Sequence, residues 1–156
     1  MISLGIDPGS RRVGYGVVEK KKDNSLRFVA AGILKIEGTD DVAALAEIKK
    51  GITAIIKKYR PDTLGIEKLF FAKNQRTAMA VAQARGVLIL AAAEAGVPIR
   101  EYTPNEIKLG VTGYGLADKK AVLKMVRLLL GKNDLKVIDD ASDALAGAIM
   151  ALNERC

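Results

Sequence analysis

Four acids in this chain stand where a carboxylate could do chemistry: Asp7, Glu67, Asp140 and Asp143. Asp7 closes the alternating run Ile2-Ser3-Leu4-Gly5-Ile6-Asp7, the period-2 pattern of a half-buried strand, and Pro8-Gly9-Ser10 stops it. It therefore sits at a strand end, on the side opposite Ile2, Leu4 and Ile6. Glu67 repeats that logic at the end of Thr63-Leu64-Gly65-Ile66-Glu67, ahead of the loop Lys68 to Asn74. Asp140 and Asp143 are three apart in a helical pattern and so share a face, with a stripe of Ala144, Gly147 and Ala148 small enough for a helix pressed onto a sheet. Taken singly, each acid has a plainer reading. Asp7 is a turn-former, Asp139 a helix cap, and acids in a first turn complement the helix dipole. Taken together they point elsewhere. If the strands ending at Asp7 and Glu67 are parallel neighbours, both acids lie at the carboxyl edge of a sheet, where ligands bind in open α/β folds.

Carboxylates that meet repel and raise one another's pKa unless a cation intervenes. The chain has no histidine and one cysteine, Cys156. Oxygen-only ligation selects a hard ion, magnesium or manganese. Two such ions about 4 Å apart would activate a water and stabilise the leaving oxygen in phosphodiester hydrolysis, which replaces the missing imidazole base.

Positioning these acids needs a particular set of elements. Val13 to Val17 forms a second strand and Leu26 to Ile36 a third, joined by short polar turns into an antiparallel meander. Val42, Leu45, Ile48, Ile52, Ile55, Ile56 and Tyr59 then recur at helical spacing behind Thr39-Asp40-Asp41, a capping region. Gln75 to Ala95 is an alanine-rich helix whose second half is apolar on all sides, so it must bury two faces. Val97 to Tyr102 reads as a fifth strand. Thr103-Pro104-Asn105-Glu106 combines a capping box with an N-terminal proline to start a short helix, expected to break at a mobile glycine-rich loop, Gly110 to Gly115. Helices from Asp118 to Leu130, closed by Gly131, and from Asp139 or Asp140 to Asn153 complete the chain. The order of elements predicts a single α/β domain over 1–156, a mixed five-stranded sheet with helices on both faces.

Composition bounds the setting. The net charge of +7 favours a polyanionic partner, though basic surfaces also serve solubility. No unbroken apolar run has the length of a membrane span, no secretion signal opens the chain, and a single cysteine excludes an internal disulfide. A cytoplasmic protein without membrane contact is the expectation.

The residues also carry a resemblance. Gly5-Ile6-Asp7-Pro8-Gly9, Glu67 with Phe70 and Ala72-Lys73-Asn74, Gln83-Ala84-Arg85-Gly86, and Asp140-Ala141-Ser142-Asp143-Ala144-Leu145-Ala146 follow one another in the order found in the RuvC Holliday junction resolvases, which the chain resembles from end to end. That resemblance implies an RNase H-like fold, with Asp7, Glu67, Asp140 and Asp143 as metal-binding catalytic acids. It selects Asp140 over Asp139, since the family pattern is D-x-x-D-A. Some members have histidine there, so metal preference could differ. It further implies a magnesium-dependent homodimer nicking two opposed strands of a four-way junction, and work with the branch-migration proteins RuvA and RuvB.

Phe70 and Phe71 lie among Lys68, Lys73 and Arg76, a setting suited to stacking on splayed bases. The family carries an aromatic three residues after its second acid, which assigns that role to Phe70. Lys108 and Lys119 match basic positions that the family uses near DNA. A second copy of the chain would bury the other face of the Gln75–Ala95 helix. Three rival readings stay open: a same-fold nuclease for structured RNA, an actin- or sugar-kinase-like phosphate site, and a non-catalytic DNA-binding module. The second needs two domains around a cleft. The third has no use for four converging acids.

Overall fold

In the computed structural model, which describes residues 1–69 and 75–153, every expected element is present. Three strands, β1 (Ile2–Asp7), β2 (Arg12–Lys20) and β3 (Leu26–Lys35), form the antiparallel meander. Helix α1 (Asp41–Tyr59) leads to β4 (Thr63–Glu67), α2 (Gln75–Glu94) to β5 (Ile99–Tyr102), and α3 (Pro104–Thr112), α4 (Lys119–Leu129) and α5 (Asp139–Asn153) follow. The sheet order is β3-β2-β1-β4-β5, with β1 central, antiparallel to β2 and parallel to β4. At α1, α3 and α4 a side-chain oxygen accepts a free backbone amide and fixes where the helix begins. Asp40 accepts from the Ala43 amide at 2.8 Å, Asp118 from the Ala121 amide at 2.8 Å, and Thr103 and Glu106 form the reciprocal capping box.

Strand alternation divides the core into two layers. Leu4, Ile6, Val13, Val17, Leu64 and Ile66 face α1 and α2, where they meet Ile48, Ile52 and Leu88. The opposite side of β1, β2 and β4 is nearly bare, because Gly5, Gly14, Gly16 and Gly65 stand there. Helix α5 lies directly on this lane. A Cβ on Gly5 would come within 1.8 Å of the Ala144 oxygen, one on Gly14 within 2.2 Å of the Asp140 oxygen, and one on Gly65 within 2.5 Å of the Gly147 oxygen. Backbone therefore rests on backbone, and α3 and α4 cover the rest of this layer through Ile107, Val111, Val122 and Val126.

Two expectations change. The break placed at Gly110 comes later, because α3 continues through it to Thr112 and ends on Gly113 in the left-handed conformation. Gly110 is a packing residue: a Cβ there would meet the Met150 sulfur of α5 at 1.9 Å. The turn that follows is tied down, with the Thr112 hydroxyl donating toward the Lys108 and Tyr114 oxygens and accepting from the Tyr114 amide. The second concerns α2. No unbroken apolar run is long, yet Thr77–Glu94 has a mean hydropathy of 1.2 and is only 22% buried, so by length and composition alone it could cross a membrane. It includes Arg85, whose side chain reaches the strand ends.

Candidate active site

The parallel register sets Gly5 opposite Gly65 and Ile6 opposite Ile66, which leaves Asp7 and Glu67 side by side at the carboxyl ends of adjacent strands. Both project on the α5 side, two residues beyond the glycines on which α5 rests. The first turns of α5 thus carry Asp140 and Asp143 down onto the strand ends. Asp7, Glu67 and Asp143 line one cleft of about 370 Å³, walled by Pro104, Ile107, Lys108, Lys119 and Val122. Asp140 stands at its margin, close enough for its charge to act on Asp7.

The electrostatics are those of a crowded acidic site. Burial, then the charges of Asp143, Glu67 and Asp140, push Asp7 up from the ordinary carboxylate range to about 7, against a lowering influence from Lys119. Burial and Asp143 likewise raise Glu67, while Lys108 and Lys119 oppose the rise. The acids of α5 are held by cations instead. Lys119 Nζ lies 3.3 Å from Asp143 Oδ2, and the Asp143 charge raises the Lys119 pKa. Arg12 Nη2 lies 3.2 Å from Asp140 Oδ2. As they stand, no three acids among the described residues are gathered closely enough to hold a metal ion. The donor set still fits one: four oxygen ligands on rigid elements, and a carboxyl group whose proton affinity is raised by its neighbours.

Of the other residues singled out from the sequence, Lys108 and Lys119 both line the cleft. Phe70 and Lys73 lie outside the described residues, as does the side chain of Arg76 at the start of α2. Two arginines escaped sequence reasoning. Arg12 pairs with Asp140 from the start of β2. Arg85, in the Gln83-Ala84-Arg85-Gly86 segment, donates from Nε to the Glu67 main-chain oxygen at 2.9 Å. The signal available for Arg12 was the short hairpin after Asp7, which must return the chain beside that acid.

Sheet order, the central acid-tipped strand and the acid-bearing helix laid across it define the RNase H-like fold. A family model described as "Crossover junction endodeoxyribonuclease RuvC" matches residues 3–151. Curated proteins of that name are 47% identical over 149 residues in Moorella thermoacetica, covering 96% of this chain and 89% of the relative, and 48% identical over 150 residues in Chloroflexus aggregans, covering 96% and 91%. Among solved structures, Thermus thermophilus RuvC in complex with Holliday junction substrate superposes with a TM-score of 0.89 at 32% identity, covering 96% of this chain and 92% of the other. The yeast mitochondrial Holliday junction resolvase Ydc2 shares the fold at 18% identity and a TM-score of 0.69. The chain belongs to the RuvC family of crossover junction endodeoxyribonucleases.

Proposed function

We infer that this chain resolves four-way DNA junctions by hydrolysing phosphodiester bonds in the cleft over Asp7, Glu67 and Asp143. The observation that carries this is the meeting of two strand-end acids with Asp143 of α5 in one cleft that Lys108 and Lys119 also line. Family membership and the likeness to T. thermophilus RuvC, solved with a Holliday junction, support the substrate. Asp7, Glu67, Asp140 and Asp143 would hold magnesium, with manganese able to substitute, in two sites. When bound, the ions supply water activation and stabilisation of the leaving oxygen. Asp7 and Glu67 fix the position from the sheet, and Asp140 and Asp143 close over it from the helix. Lys108 and Lys119 draw the phosphates into the cleft and offset their repulsion from the acids. Lys119 on Asp143 and Arg12 on Asp140 occupy those carboxylates until other cations take their place.

Two copies acting together would nick opposed strands symmetrically. Support comes from α2, where Met79, Gln83, Gly86, Leu90 and Ala93 are exposed along one side at alternating spacings of four and three. Such a stripe suits packing against a second helix, and a Cβ on Gly86 would meet nothing within 4 Å. We place the protein in the cytoplasm as a single-domain nuclease, Phe70, Lys73 and Arg76 contacting junction DNA, with RuvA and RuvB as working partners by family.

The test is cleavage of a synthetic four-way junction with magnesium or manganese. We expect paired nicks in opposed strands, abolished by Asp7→Asn while junction binding in a gel-shift assay persists. A protein that spares the junction and cuts structured RNA under the same conditions would overturn this reading in favour of an RNA-processing nuclease.

A further inference from the structure

Arg85 lies on α2, across the sheet from α5, yet its side chain reaches the end of the strand that carries Glu67. Its side chain is 16% exposed. Nε donates to the Glu67 main-chain oxygen at 2.9 Å, and Nη2 pairs with Glu101 Oε2 on β5. The pairing of the strands explains why that oxygen needs a side-chain donor. Leu64 and Lys68 donate toward β5, to the Pro98 and Tyr102 oxygens at 2.9 and 2.7 Å. Alternation then turns the Gly65 and Glu67 main-chain groups toward β1. With Gly5 opposite Gly65, the β1 donor in register for the Glu67 oxygen is residue 8. Residue 8 is proline and has no N–H. The ladder loses a bond where the cleft begins, and Arg85 supplies the missing donor.

We propose that Arg85, held by Glu101, is a positioning residue for the hydrolytic reaction: it replaces the ladder bond that Pro8 cannot make and so fixes the direction in which Glu67 enters the cleft. The proposal rests on the reading of Glu67 as a site acid. Arg85 acts on the backbone and leaves the carboxylate free. The cations that act on the Glu67 carboxyl group are Lys108 and Lys119, on the other side of the strand. An arginine suits this work because its planar fork can hold two acceptors in one plane, whereas a lysine is a single flexible point charge.

Three variants test it: Arg85→Gln, Arg85→Lys and Glu101→Gln. Each is measured for junction affinity by gel shift, single-turnover cleavage rate, manganese affinity of the DNA-free protein by calorimetry, and melting temperature. Arg85→Gln should slow cleavage and weaken manganese binding by roughly 10- to 100-fold, the usual cost of losing a partner behind a metal ligand. Junction affinity should stay within about twofold, because Arg85 lies outside the cleft. Arg85→Lys should recover part of the loss. Glu101→Gln should move both readouts the same way by less. Wild-type cleavage and manganese affinity in Arg85→Gln would overturn the proposal, as would a loss in which rate falls only in step with melting temperature. If Arg85→Gln does not fold, Glu101→Gln decides, and wild-type values for it overturn the proposal. Wild-type protein that cuts no junction overturns the proposed function instead, and manganese affinity still reports on Arg85.

Discussion

Asp7 carries a cost in the folded chain. Its carboxyl group is pushed up to about 7 by burial and by three neighbouring acids, where an unfolded aspartate titrates near 3.8. Between those values the folded state holds a proton that the unfolded state has released, so metal-free stability falls as pH rises from about 4 to about 7. Glu67, raised by burial and Asp143, adds to the same slope. A shift of this size is worth at most about 4 kcal/mol. Asp7→Asn should flatten the slope and raise the melting temperature by several degrees in EDTA at pH 8, as differential scanning calorimetry would read. Added manganese should stabilise the wild type at that pH and leave the variant nearly unchanged. Cleavage should rise from pH 6 to pH 8, because a protonated Asp7 is a poor ligand. An Asp7→Asn variant less stable than wild type at pH 8 would contradict the balance of charges described here.

At the scale of elements, α5 sets the acids and the glycine lane sets α5. Gly5→Ala would place a methyl group 1.8 Å from the Ala144 oxygen, backbone that cannot rotate away. We expect a loss of about 3 kcal/mol or more in urea unfolding, with metal affinity lost in any fraction that folds. Part of this was legible from the chain alone. Period-2 runs ended by Pro8 and by Lys68 placed Asp7 and Glu67 at strand ends. The small stripe Ala144, Gly147, Ala148 marked the face of α5 that meets the sheet. Gly110 was misread because composition cannot separate a glycine that breaks a helix from one that admits a neighbour, here Met150. Arg12 and Arg85 were not assigned roles because their partners are set by tertiary pairing. Arg12 meets Asp140 far along the chain, and the vacancy that Arg85 fills exists only once β1 and β4 are in register.

Over the whole molecule, the acid-lined cleft and the exposed apolar side of α2 fall on different surfaces. The cleft lies at the carboxyl ends of the strands, while Met79, Leu90 and their neighbours form an exposed seam on α2. Leu90→Glu should convert a dimer to monomers in light scattering and uncouple the two nicks of a junction, with little change in the rate of a single nick. A wild-type chain that is monomeric at micromolar concentration would remove the seam's assignment. The +7 net charge predicts junction affinity that falls steeply with salt, and Lys119→Ala should make that fall shallower by about one counterion. The glycine lane has a last consequence. Because Gly5 and Gly65 lie two residues before Asp7 and Glu67, α5 can bring its acids to the strands only by completing the central layer of the core. A chain in which α5 is not seated on the glycine lane has no cleft at all, so the candidate site depends on the integrity of the core beneath it.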